Sequence, residues 1–327
     1  MTNGKPGAVL VVFNPVKVDE QELRAAVDTY ARDAEGVEWI ETSPDDDQVQ
    51  VAAVQKPGVE LVLVAGGDGT VRVIASALAG TGVSMGIIPS GTGNLLARNL
   101  ELDLDLTASV RRAFQGRDRN VDVCSVDLHR PDGSTDSLGF AVMAGLGLDT
   151  GMLENTDESL KKHIGPLAYG QGLIRSLVDG GDVRATYSID DTQVANARLH
   201  TMIFGNCGYL INEFPLFPAA EPDDGIFDVV TMAPRGAFGW LGVFARLGAN
   251  AAANTVRKVM GKPLVEKNEE NVGGPISKSA GILDYSRGKR ASVTLTTPHT
   301  FELDGDPVGE VVGVDIEIQA GALAVRV

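Results

Sequence analysis

The segment Leu61-Val62-Leu63-Val64-Ala65-Gly66-Gly67-Asp68-Gly69-Thr70 runs from an apolar stretch straight into a glycine-rich turn. Four bulky aliphatic residues in succession, bounded by glycines, fit a strand buried on both faces. The apolar spacing from Val71 to Leu78 predicts a helix behind the turn. Strand, glycine turn and helix form the repeating unit of open parallel α/β sheets, which place ligands at the carboxyl ends of their strands. The preceding sequence repeats the pattern. Ala8–Phe13 reads as a buried strand ended by Asn14-Pro15, and Asp19–Asp33 as a helix with Leu23, Ala26, Val27 and Tyr30 on one face. Val37–Ile40 reads as a strand, and Asp45–Val54 as a helix stopped by Pro57-Gly58. Ser84–Ile88 is a further strand, followed by a second glycine turn, Pro89-Ser90-Gly91-Thr92-Gly93-Asn94. We expect residues 1–124 to form a doubly wound, Rossmann-like α/β domain.

Beyond about Val121 strand-like runs dominate: Val121–Leu128, Leu138–Ala144, Arg184–Ile189, Arg198–Phe204, Phe227–Met232, Ala291–Leu295 and Val311–Ile318. Turn dipeptides such as Asp132-Gly133 and Gly180-Gly181 separate several of them. Residues 125–327 therefore read as an antiparallel β-sandwich domain, interrupted by helical stretches near Leu160–Val178 and Ala237–Met260. A length of 327 residues suits two such domains.

Composition narrows the function. The formal net charge is −16, and such a surface repels nucleic-acid phosphates. Two cysteines, Cys124 and Cys207, form neither a disulfide framework nor a metal-ligand spacing. The apolar run Ala8–Phe13 reads as too short for the core of a secretory leader, and no stretch approaches the roughly 18 apolar residues expected of a membrane span. The expectation is a cytoplasmic protein that meets any lipid partner peripherally, at the inner membrane face. The cluster Arg111, Arg112, Arg117 and Arg119 fits a solvated helix face or a contact with anionic lipid. The stretch Phe238–Phe244, with Trp240, fits a buried helix or a membrane-facing lid. Exposed sandwich-edge strands would suit a homodimer.

Either glycine turn alone could be a tight turn, with Asp68 as a helix N-cap. Two of them after successive strands point to a polyphosphate site, where glycines let backbone N–H groups approach phosphate oxygens. The sequence has no GxxxxGK[ST], so this is not a P-loop site. Asp304-Gly305-Asp306-Pro307 reads as a hairpin turn between flanking strands or as a catalytic turn.

Phe13-Asn14-Pro15, Gly66–Thr70 and Pro89–Asn94 with Leu95-Leu96-Ala97-Arg98-Asn99 together resemble the diacylglycerol kinase catalytic domain. That family includes bacterial soluble lipid kinases, sphingosine kinases and ceramide kinases. The similarity continues through Gly145–Asp149, Lys161–Tyr169, Asn206, Pro218-Ala219, Asp224–Asp228 and Leu303–Pro307. The resemblance implies transfer of the ATP γ-phosphate to a lipid hydroxyl, with Mg2+. Asn14, Thr42, Gly66, Gly67, Asp68, Gly69, Thr70, Ser90, Gly91, Thr92 and Asn94 would line the nucleotide. Asp304 would be the general base, although the sphingosine kinase branch gives the loop aspartate, here Asp68, a more direct role. Asp68 and Asp306 would help hold magnesium. Asp224, with the carbonyls of Glu221 and Ile226, would bind a structural magnesium. Asp149 would touch the lipid head group or cap a helix. The chain departs from the family pattern at Val16-Lys17, where Ser-Gly is common, after Thr42, where many members carry a histidine, and at Asp306, where glutamate is usual. NAD kinases share the GGDGT loop, and a catalytically silent lipid- or nucleotide-binding protein is the remaining alternative.

Overall fold

The computed structural model describes residues 7–32, 34–43, 47–147, 182–192, 195–209, 216–234, 239, 242–243 and 283–327. Two compact units emerge. One comprises Met1–Val123, Gly139–Ala141 and Gln319–Val327, and the other Cys124–Leu138 and Val142–Ile318. The first thus recovers the last nine residues of the chain, which the sequence reading placed in the second domain.

The first unit is the α/β domain. Its strands β1 (Ala8–Phe13), β2 (Gly36–Glu41), β3 (Val59–Gly66) and β4 (Ser84–Pro89) are parallel, in the order β4-β3-β1-β2. The helices between them are α1 (Glu20–Tyr30), α2 (Asp47–Val54) and α3 (Asp68–Leu78). Two more follow β4, the short α4 (Leu95–Asn99) and α5 (Leu106–Gln115). Alternate strand residues separate onto two faces. Val9, Val11, Phe13, Leu61, Leu63 and Ala65 pack with Leu23 and Val27 of α1 and Val110 and Ala113 of α5. Leu10, Val12, Val62 and Val64 face the other way, and all are fully buried. Burial on both faces is why these strands read as unbroken apolar runs. The N-cap Asp19 starts α1 by accepting bonds from the Gln21 and Glu22 amides at 2.9 and 3.0 Å.

The second unit is strand-rich and antiparallel, as the sequence implied. Its hairpin β5 (Asp118–His129) and β6 (Thr135–Phe140) turns at Asp132-Gly133, where the Asp132 carboxylate accepts the Ser134 amide at 2.9 Å. Then come β7 (Met143–Leu146), β8 (Val183–Ile189), β9 (Ala195–Leu199), β10 (Thr201–Gly205), β11 (Phe227–Met232) and β12 (Leu283–Gly288). The long β13 (Arg290–Leu303) and β14 (Asp306–Arg326) complete it. β13 serves two partners besides β14: its first half pairs with β8 and its last three residues with β7. The end of β14 leaves this unit, and Ala324 and Val325 pair in parallel with Ser84 and Met85 of β4. The sequence merged two pairs of strands. Leu138–Ala144 breaks at Ala141-Val142, and Arg198–Phe204 breaks at His200. The expected helical stretches Leu160–Val178 and Ala237–Met260 lie outside the described residues, the latter almost entirely.

One close contact sets how β4 is seated. A Cβ on Gly86 would stand 2.5 Å from the Ala113 Cβ, so α5 packs directly on the β4 backbone. Gly86→Val should lower the unfolding free energy by about 1–3 kcal/mol through overpacking. Urea denaturation would measure it, and an unchanged midpoint would contradict this packing.

Candidate functional site

The strand order creates a switch point. From β1 the chain moves to β2 on one side, then returns past β1 to β3 on the other. Ligands of open α/β sheets bind where such crossovers diverge. The loops there are tied to the strand ends. The Asn14 amide donates to the Ala65 carbonyl at 2.9 Å, Thr42 to Phe13 at 2.8 Å, and Ser90 to Gly66 at 3.0 Å. Asn14, Thr42, the turn starting at Gly67 and the turn starting at Ser90 therefore gather at one edge of the sheet. Sequence reading selected these positions, and the parallel register brings them together.

The two glycine turns interlock. A Cβ on Gly91 would lie 2.7 Å from the Gly67 Cα, and one on Gly67 would lie 3.6 Å from the Gly91 Cα. Asp68 braces the contact. Its two carboxylate oxygens accept the backbone amides of Asn94 at 2.9 Å and Leu95 at 2.6 Å. Asn94 takes the left-handed conformation, with φ 48°. Its side chain accepts the Gly91 amide at 2.9 Å and donates to the Gly91 carbonyl at 2.8 Å, closing the second turn on itself. Asp68 thus spends its charge on the neighbouring turn, and the N-cap of its own helix, Gly67, offers no side-chain cap. The 11-residue α3 keeps its first amides and the positive end of its dipole at Gly67–Thr70. Such a cradle of backbone donors suits phosphate oxygens. Thr92 is exposed at the tip of the second turn.

In the second unit, Asp304 and Gly305 form the tight turn between β13 and β14, with φ values of 50° and 92°. Asp304 is only 4% exposed. One carboxylate oxygen accepts the Val142 amide at 2.9 Å and the Met143 amide at 2.8 Å, and the Asp304 amide donates to the Met143 carbonyl at 2.8 Å. The break between β6 and β7 supplies these two amides. Asp304 is both a turn residue and a buried, rigidly oriented carboxylate. Asp306 closes the turn opposite Leu303 and is half-buried.

At the loop where the resemblance implies a structural magnesium, both Asp224 oxygens have protein partners. One Asp224 oxygen accepts the Ile226 amide at 3.2 Å, and the other accepts the Arg287 guanidinium at 2.7 Å. Arg287 also reaches Asp228 at 3.2 Å and the Ala219 carbonyl at 3.2 Å. Burial pushes Asp224 upward and Asp228 up to about 6, and Arg287 opposes both rises. Among the described residues, no group of three or more histidine, cysteine or acidic side chains is placed to hold a metal ion. Among the described residues, the cation beside Asp224 and Asp228 is the Arg287 guanidinium. The sequence reading missed it because strand pairing, not spacing, sets Arg287 directly across from Asp228.

The arginine cluster also resolves differently. Arg112 turns inward, donating to the Ile87 carbonyl at 3.2 Å and pairing with Asp103 at 3.4 Å. Burial lowers its pKa. Arg112 thus anchors α5 to β4, which removes it from any lipid-facing set. Asp149 and most of Phe238–Phe244 lie outside the described residues. No helix among those described is long and apolar enough to cross a membrane.

Removing Arg287 leaves the buried Asp228 beside the partly buried Asp224 with no shared cation, which costs about 2–4 kcal/mol once the exposure of Asp224 is discounted from the value of a fully buried pair. Arg287→Leu should show a loss of that order in urea unfolding. Magnesium at millimolar concentration should raise the melting temperature of Arg287→Ala and leave that of the unsubstituted chain where it is. An unsubstituted chain that melts lower in EDTA would mean that a metal does occupy this loop.

The diacylglycerol kinase catalytic domain model matches residues 8–126. The protein named "Probable lipid kinase YegS-like" of Klebsiella pneumoniae (strain 342) is 31% identical over 312 residues, covering 92% of this chain and 90% of its own. A crystal structure of a diacylglycerol kinase from Bacillus anthracis superposes with a TM-score of 0.67 at 20% identity, over 100% of this chain and 98% of that one. Yeast NADH kinase with bound NADH shares the fold more distantly, at a TM-score of 0.51 and 10% identity over 99% of this chain and 83% of that one. Glycine turns interlocked at the switch point, followed by an antiparallel unit and matched along nine-tenths of a lipid kinase sequence, place this chain in the diacylglycerol kinase catalytic-domain family of lipid kinases.

Proposed function

We propose that the chain transfers the γ-phosphoryl group of ATP to a lipid hydroxyl, that of diacylglycerol first among the acceptors, giving phosphatidic acid and ADP. One observation carries the nucleotide half of this reading: the backbone contact between the Gly67 and Gly91 turns at the switch point, braced by Asp68. In this reading Gly66, Gly67, Gly69, Thr70, Ser90, Gly91, Thr92 and Asn94 hold the phosphates. Asn14 and Thr42 line the remainder of the nucleotide. Magnesium bound with the triphosphate would supply charge neutralisation; Asp68, whose two oxygens already accept amides, would help hold it through water, and Asp306 is the other carboxylate the resemblance offers.

Phosphoryl transfer asks little covalent chemistry of a protein; it asks for alignment and for removal of a proton. Asp304 accepts the proton of the lipid hydroxyl as that oxygen bonds to the γ-phosphorus, and the bond from phosphorus to the β–γ bridging oxygen breaks. Its two amide contacts suit it to the task, because they hold the carboxylate in one orientation. The lipid acceptor implies peripheral work at the inner membrane face, in the cytoplasm, with a homodimer as the assembly to test.

The assay is lipid phosphorylation with Mg-ATP and diacylglycerol in mixed micelles, compared with Asp304→Asn. The amide oxygen of asparagine still accepts the Val142 and Met143 amides, so the fold should hold while activity falls about 10²–10⁴-fold. Full activity in that variant would remove Asp304 as the base. Phosphorylation of NAD without any lipid product would move the chain to the NAD kinases, and nucleotide binding without turnover of any acceptor would make it a silent binder.

A further inference from the structure

Lys17 carries a charge that none of the roles above uses. It follows Asn14-Pro15-Val16 in the loop after β1, on the other side of the switch point from the β3 turn. Its ammonium nitrogen lies 2.6 Å from where a Cβ on Gly67 would stand, so it rests against the backbone at the start of α3. The lysine is exposed, and among the described residues no carboxylate or carbonyl engages that ammonium.

The loop that carries it is fixed. The Asn14 side-chain oxygen accepts the Val16 amide at 3.0 Å. The Asn14 carbonyl accepts the Lys17 amide at 3.0 Å and the Val18 amide at 3.1 Å. Val18 is buried, and the Asp19 N-cap of α1 follows at once. The backbone of Lys17 is therefore anchored, and the side chain reaches over the neighbouring turn. A Cβ on Gly67 would have to push that ammonium aside.

The electrostatic need is plain. A chain with a net charge of −16 presents an unfavourable field to a polyphosphate. Backbone amides donate hydrogen bonds but bring no full positive charge, and the chain lacks the lysine of a GxxxxGK[ST] loop. An ammonium is a compact point charge with three donors, suited to phosphate oxygens already held in a glycine turn. We propose that Lys17 is the phosphate-neutralising cation of this site and contacts the β- and γ-phosphates of the bound nucleotide. This rests on the nucleotide reading above. It gives the cradle a full positive charge that its backbone amides lack.

Titration calorimetry on the full chain separates the two readings. Lys17→Ala and Lys17→Gln should weaken Mg-ATP and inorganic tripolyphosphate by about ten- to a hundredfold, the usual worth of a charge-assisted contact. Adenosine binding should stay unchanged, Lys17→Arg should recover most of the loss, and the dependence of ATP affinity on salt should flatten in Lys17→Ala. The melting temperature of each variant should match that of the parent, because the side chain is exposed. If the parent binds Mg-ATP and Lys17→Ala binds it equally well, Lys17 loses this role and the nucleotide site stands. Equal weakening of adenosine and ATP would also overturn the proposal, since it would mark a purely structural lysine. A parent chain that binds no Mg-ATP would take the nucleotide reading and the proposal down together.

Discussion

The contact between Gly67 and Gly91 is the constraint on which the first unit's site depends. The two strand-to-helix turns bring their backbones within van der Waals reach because position 91 carries no side chain: a Cβ there would stand 2.7 Å from the Gly67 Cα. Once they meet, Asp68 has one place to go. It satisfies the amides of Asn94 and Leu95, which would otherwise remain without a partner at the start of a five-residue helix. The N-cap of α3 is Gly67, which brings no side-chain bond to that helix start. A carboxylate of one turn thus braces the other. The parallel register of β1, β3 and β4 sets all of this at one height, because Phe13 pairs with Ala65 and Gly66 with Pro89.

Asp304 shows the same economy in the antiparallel unit. A left-handed aspartate in a tight turn is an ordinary hairpin device. Here its carboxylate also fills a gap in the ladder, where the strand Leu138–Ala144 expected from sequence breaks at Ala141-Val142. The apolar run Phe140-Ala141-Val142-Met143-Ala144 passes through the break without interruption, so nothing in the sequence marks it. Only the return of the chain more than 150 residues later, at Asp304, supplies the acceptor that makes the break stable.

Charge was the least legible layer. Arg112 reads as one of four surface cations and is instead a partly buried tie between α5 and the Ile87 carbonyl. Asp224, which the resemblance makes a metal ligand, pairs with Arg287, placed by strand register opposite Asp228. Oxygen-rich loops look alike in sequence whether a divalent ion or a guanidinium completes them. The difference lies in which cation the fold delivers, and long-range pairing decides that.

The sequence by itself determined the fold class, the positions of both glycine turns and the candidate carboxylates. These follow from local facts: apolar runs at strand length, glycines where chains turn tightly, and Asp-Gly where a hairpin reverses. It also placed the chain correctly in its family, since motif order survives in sequence. Tertiary structure alone decided what each charged group touches. It aimed Asp68 at the neighbouring turn, locked Asp304 onto Val142 and Met143, gave Arg287 to Asp224 and Asp228, and laid Lys17 over Gly67. The physical reason is that hydrophobic patterning is a property of neighbours along the chain, whereas a charge is satisfied by whatever the fold brings within about 3 Å, often from a distant strand.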